Sequence, residues 1–215
     1  MTGWRLLVVV GALFCASGCA RLFPIEAGES LEHFSTQAPQ PGQLAPNFVL
    51  TDIDGVEHEL AKLAQHQPVV VQLGSYTCPV FRYRRFYMHP VREKYLGQVT
   101  FLVVYTQEAH PVGAQSPYSD EEWDPWINRL TGVRNPQAVT WVERQDSARA
   151  AQQAMQSNAL FVVDNLDNNV WQRYGGAPSA AFLIDTERRV VLSQPWVDPE
   201  PLADAIDALL KDAPH

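Results

Sequence analysis

The sequence predicts an α/β domain: a central mixed β-sheet flanked by helices, with a β-hairpin added at its N-terminal end. Three observations lead there. Val69-Val-Val-Gln-Leu73 and Val99-Thr-Phe-Leu-Val-Val-Tyr105 are apolar, β-branched runs of the kind that form strands buried on both faces. A segment of helical composition separates them, as a parallel crossover requires. Near the C-terminus, two further short apolar runs are divided by a turn and followed by an amphipathic stretch, which reads as a hairpin and a closing helix. A chain of 215 residues, 46% hydrophobic, holds one such domain with some sequence to spare.

The regular pattern begins near Ala45. Asn47 to Leu60 reads as two short strands around an Asp54-Gly55 turn. After the strand at Val69–Leu73, Pro79 to about Tyr95 is helical, with Pro90 expected to kink it. The strand ending at Tyr105 leads into a long loop from Thr106 to about Gln137. That loop carries the acidic, Trp-containing segment Asp120–Trp126, read as solvated. Thr140 to Gln156 is helical and Leu160–Val163 is a strand. Asp167 to Tyr174 is a short helix closed by Gly175-Gly176. Ala180–Ile184 and Val190–Gln194 pair around Asp185–Arg188, and Pro199 to Leu210 is the last helix, with Leu202, Ile206 and Leu209 on one face. This order, β-α-β followed by a hairpin and a helix, is the thioredoxin-like arrangement.

The N-terminal part has a different character. Arg5 precedes the apolar run Leu6–Phe14, too short to span a bilayer but suited to a signal-peptide core. Ala16-Ser-Gly-Cys19 resembles a lipobox, so residues 1–18 are expected to be a lipoprotein signal peptide and Cys19 the lipid attachment site. Residues 19–45, rich in Pro, Gln and Gly, read as a flexible tether, and the domain as 46–215. The expected location is the bacterial envelope, lipid-anchored at the outer membrane and periplasm-facing, since no Asp follows Cys19 to retain the chain at the inner membrane. Processing leaves Cys78 as the one free thiol of three cysteines. The charge of −8, without a Lys/Arg block, argues against a nucleic-acid partner.

Cys78 lies between a buried strand and a helix, with Pro79 at the first helical position. The helix N-terminus and nearby Arg82 are expected to favour its thiolate, and Ser75 and Thr77 offer hydroxyls beside it. Parallel strands joined by a right-handed crossover end on the same rim of the sheet. Glu108 and His110, just after Tyr105, should therefore lie close to Cys78, where an imidazole could serve as acid or base.

Three segments, Gly74–Phe81, Val104–Pro111 and Asp164–Pro178, together resemble the iodothyronine deiodinase family, over roughly Asn47 to Ile184. The resemblance implies that Cys78, which takes the place of selenocysteine in animal members, is the nucleophile. It also implies that His110 and Glu108 assist and that Thr77 matches the residue before the nucleophile. Likeness to thioredoxin folds implies that Pro178 is cis and shapes a substrate groove that Ser75 and Arg82 also border. Tyr76 stands where animal members often carry a cysteine, and Gln137–Thr140 lacks a histidine found there in animal members.

The expected activity is reduction of a small electrophilic molecule, halogenated ones included, without a bound cofactor or metal. With no second cysteine near Cys78, an external thiol or thioredoxin-like donor must restore it. An alternative is a one-cysteine peroxidase, because Ser75-Tyr-Thr-Cys-Pro79 also resembles the peroxiredoxin turn. A non-catalytic metal- or thiol-binding module is a third reading, weakened because Phe81 and Arg82 occupy the positions a second cysteine would need.

Overall fold

The computed structural model describes residues 28–212. The expected signal peptide, Cys19 and the start of the expected tether lie outside the described residues. The elements run α1 (Gly28–Gln37), β1 (Val49–Asp52), β2 (Glu57–Glu59), α2 (Leu60–His66), β3 (Val69–Gly74), α3 (Pro79–Lys94), β4 (Thr100–Tyr105), α4 (Trp126–Thr131), α5 (Trp141–Met155), β5 (Leu160–Val163), α6 (Asn169–Arg173), β6 (Ala181–Ile184), β7 (Val190–Gln194) and α7 (Pro199–Asp212). One sheet has the order β2-β1-β5-β4-β3-β6-β7. Its centre is parallel, β3 beside β4 and β4 beside β5, while β6 runs antiparallel to β3 and β1 antiparallel to β5. The sheet is mixed, as the sequence predicts, and the N-terminal hairpin β1–β2 extends its edge beyond β5.

Alternation along the strands sorts the core into two layers. Val69, Val71, Leu73, Leu102 and Val104 face the cluster built with Leu60 of α2 and Val170 and Tyr174 at α6. Val103, Tyr105, Phe161 and Val163 face the other way, against Phe81 of α3 and Ala148 and Ala151 of α5. Val70 and Leu183 pack with Met88 of α3 and with Leu202 and Ile206 of α7.

Besides α2, which occupies Leu60–His66 where no element was expected, two segments depart from the expected organisation. Residues 28–45 are not free tether. α1 sits on the first layer, where Phe34 packs against Phe182 with ring centroids 5.8 Å apart, and Ala38 and Ala45 are buried. Gly175 allows this docking: with φ +82°, a Cβ there would meet Ala38 Cβ at 2.7 Å. Proline and glutamine content misleads here, because three small or aromatic side chains in register are enough to hold a short segment on a preformed apolar surface. Second, the long loop contains α4, so it is not structureless.

Local chemistry explains the helix starts that frame the site. α5 opens with a reciprocal capping box: Thr140 Oγ1 accepts from the Glu143 amide, and the Glu143 carboxylate accepts from the Thr140 amide. At α6 the buried Asp164 carboxylate accepts from the amides of Val170 and Trp171. α3 runs on through Pro90 as a single helix.

Candidate functional site

β3 ends at Gly74, and the chain turns through Ser75–Thr77 into α3. Gly74 is required by close approach: a Cβ there would lie 2.3 Å from the Phe81 ring, which seals the strand end. Cys78 is the N-cap of α3, in extended conformation with Pro79 following, and its Sγ accepts from the Phe81 amide at 3.5 Å. The helix-start geometry is the expected one. Its electrostatic outcome is not. Cys78 is only 2% exposed, and burial pushes its thiol up to about 11, outweighing the Phe81 and Val80 amides and the Arg82 guanidinium that pull it down. The expected resting thiolate is therefore a resting thiol.

The parallel pairing of β3 and β4, with Gly74 opposite Tyr105, brings the two following loops together. Thr77 is the meeting point. Its amide and hydroxyl donate to Glu108 Oε2 at 3.0 and 2.6 Å, and the hydroxyl oxygen accepts from the His110 amide at 3.0 Å. Tyr105 donates its phenol to Glu108 Oε1, and Ser75 Oγ accepts from the Ala109 amide at 3.0 Å. Every partner of the Glu108 carboxylate is a donor, which suits its ionised form, although burial holds its pKa above the ordinary range. His110 is the converse case: burial lowers it to about 4, so it is neutral near pH 7. Its Nδ1 lies 3.1 Å from the Trp123 carbonyl oxygen, an acceptor. Nδ1 therefore carries the proton, and Nε2 keeps a lone pair.

Arg82 holds the loop rather than pairing with a carboxylate. It donates to the Tyr76 carbonyl and to Asn128 Oδ1, each at 2.7 Å. Pro178 is buried just before β6. Because β6 is antiparallel to β3, and the Leu73 amide donates to the Ala180 carbonyl, this segment reaches the rim that carries Cys78. The structure thus brings together Ser75, Thr77, Cys78, Arg82, Glu108 and His110, with Pro178 at the same rim.

Other residues at the site were not singled out in the sequence. Asn128, fully buried on α4, donates to the Thr77 carbonyl at 2.8 Å while accepting from Arg82, so it clamps the turn from outside. Trp123 stacks edge-on against His110 at 4.5 Å. The acidic, Trp-containing segment therefore covers the imidazole and is not simply solvated. Gln137 accepts from the Glu108 amide at 2.9 Å. A loop running from Thr106 to Gln137 exceeds the dozen or so residues usual for a structureless connection, and that length is the signal that could have exposed α4. Among the described residues no group of three or more His, Cys, Asp or Glu side chains is placed to hold a metal ion.

The iodothyronine deiodinase family model matches residues 24–196. Thyroxine 5-deiodinase of Ovis aries is 30% identical over 169 residues, covering 78% of this chain and 53% of that protein. The Homo sapiens protein of the same name is also 30% identical, over 78% of this chain and 51% of its own length. The chain thus spans about half the length of these relatives. Among solved structures, the thioredoxin domain of a thiol-disulfide oxidoreductase from Bacteroides vulgatus is similar with TM-score 0.54 and 16% identity, over 80% of this chain and 98% of that one. An uncharacterised conserved protein from Geobacillus kaustophilus gives TM-score 0.58 and 16% identity, over 81% and 84%. These two likenesses establish the thioredoxin-like fold.

Proposed function

Because the chain belongs to the iodothyronine deiodinase family, we propose that it is a thiol-dependent oxidoreductase in which Cys78 reduces a small electrophilic, halogenated substrate. The observation that supports this most is the placement of one thiol at a helix start, in a turn fastened to Glu108 and His110 by Thr77.

In this reading the Cys78 thiol first loses its proton to base from solvent once the site opens, because His110, held near 4 by burial, is too weak a base to take it from a thiol near 11; the imidazole stays neutral and assists by hydrogen bonding. The sulfur then attacks the halogen of a carbon–halogen bond. A sulfur–halogen bond forms, the carbon–halogen bond breaks, and the carbon takes a proton. One external thiol displaces halide to give a mixed disulfide. A second releases Cys78 and leaves with the first as a disulfide, so two thiols supply the two electrons the carbon gains. No bound cofactor is needed. Glu108 and Arg82 fix the turn, and Ser75 and Pro178 border the approach. The peroxidase alternative needs the same deprotonation of Cys78, so the buried thiol does not separate the two readings; oxidation of Cys78 by hydrogen peroxide no faster than that of free cysteine would sink the peroxidase.

Cys78→Ser should abolish reduction of an iodinated phenol by dithiothreitol while leaving the thermal unfolding midpoint within a few degrees. Undiminished turnover in that variant would refute the reading. The anchoring belongs to the same proposal: a lipid on Cys19 holds the domain at the bacterial envelope, facing the periplasm. No helix among the described residues is long and apolar enough to cross a membrane. Cys19→Ala should move the protein from the membrane to the soluble fraction, and continued sedimentation with membranes would count against the lipid.

A further inference from the structure

A cavity of about 730 Å³ opens beside the site, within the range of roughly 300–1,000 Å³ usual for small-molecule pockets. Gln107, Gln115, Gln137, Tyr118, Trp171 and Gly176 line it, and Cys78 does not. Tyr118 belongs to both sides. Its ring packs on the apolar cluster that holds Cys78, Phe81 and Tyr105, and it is close enough to Cys78 for a thiolate there to disfavour its own ionisation. Its hydroxyl oxygen accepts from Trp171 Nε1 at 2.9 Å, and the two rings meet edge-on with centroids 6.2 Å apart. Trp171 packs on the opposite core layer, so this one hydrogen bond ties the long loop to the start of α6.

The lining also has a charge character. His33 and Asp120 are its ionisable side chains apart from the phenol, and no Lys or Arg is among its residues. Glutamine amides offer hydrogen bonds to a neutral molecule, whereas an anion would enter beside Asp120 with no Lys or Arg to meet it.

We propose that this cavity is the antechamber through which a neutral substrate reaches Cys78, and that Tyr118 is its inner gate, latched by the hydrogen bond from Trp171. The inference rests on Cys78 being the reductive nucleophile. It accounts for a thiol that is buried at rest beside a cavity large enough for a ligand: swinging the Tyr118 ring would join the two and admit water to the sulfur.

Alkylation tests it without turnover. The rate at which Cys78 is modified by neutral iodoacetamide and by anionic iodoacetate is measured by peptide mass spectrometry, each rate divided by that of glutathione. Wild-type protein should react slowly and should prefer iodoacetamide. Trp171→Phe and Tyr118→Phe, which each remove one half of the latch, should speed iodoacetamide by about fivefold, as the loss of one neutral hydrogen bond allows. Tyr118→Ala should speed it by more than about tenfold by emptying the gate. In addition, 3-iodobenzyl alcohol should protect Cys78 and quench tryptophan fluorescence in the wild type, with that quenching lost in Trp171→Phe.

Unchanged alkylation in all three variants, or no preference between the two reagents, would overturn the proposal. Faster alkylation in the variants with no reductive turnover in the wild type would instead leave the gate standing and remove the proposed activity. Turnover that persists while the variants change neither alkylation nor quenching would remove the gate alone.

Discussion

Thr77 gives both its amide and its hydroxyl to the same carboxylate oxygen of Glu108, at 3.0 and 2.6 Å. The two residues are 31 positions apart, on the loops that leave neighbouring parallel strands, and both are buried. The bond fixes the backbone of the residue before Cys78, and the same hydroxyl receives the His110 amide. Nucleophile and imidazole are therefore positioned through one side chain, whose own groups are all satisfied.

Thr77→Val keeps the shape and removes that hydroxyl. It leaves the buried His110 amide without an acceptor and Glu108 short of a donor, which should cost about 1–3 kcal/mol in urea denaturation. Reductive turnover should fall at least about tenfold, since misplacement near a reacting atom is costly, and Thr77→Ser should recover most of both. If the valine variant is as stable and active as the wild type, Thr77 does not hold the site.

His110 sets an acid limit to stability. Its folded pKa of about 4 lies below the ordinary 6.5, so between these values the unfolded chain binds the extra proton and the folded one does not. Stability contributed by the neutral imidazole is thus present above pH 6.5 and is lost as pH falls toward 4, by up to roughly 3 kcal/mol. Glu108 and Asp164, both raised by burial, act in the opposite sense. They cancel when the wild type is compared with His110→Gln. The difference between the two denaturation curves should therefore shrink on acidification across this window, and a constant difference would remove His110 as the titrating group.

Phe34→Ala tests whether α1 belongs to the domain. Phe34 is buried against Phe182, and truncating such a side chain typically costs about 3–5 kcal/mol. The unfolding midpoint should fall by many degrees. A midpoint unchanged from the wild type would return residues 28–45 to the role of a tether.

The way these features were legible differs residue by residue. Cys78 announced itself through Pro79 and the end of a β-branched run, because helix starts and buried strands are local and follow from neighbouring residues. Glu108 and His110 were reachable with one further step, since a right-handed crossover places consecutive parallel strand ends on one rim. Asn128 offered no such handle. It is a single polar residue in an aperiodic stretch, and its importance arises from two partners, Arg82 and Thr77, that are 46 and 51 residues away.

What the sequence determined by itself was the order of the strands and of the helices α3, α5, α6 and α7, the position of one thiol at a helix start, and the rim on which its partners gather. Hydrophobic period, turn residues and crossover handedness are short-range constraints that survive without coordinates. The tertiary structure decided the ionisation of that thiol, the docking of α1 and the covering of His110 by Trp123. Each depends on how much water is excluded when distant segments pack, and that exclusion reversed the expected thiolate into a buried thiol at about 11.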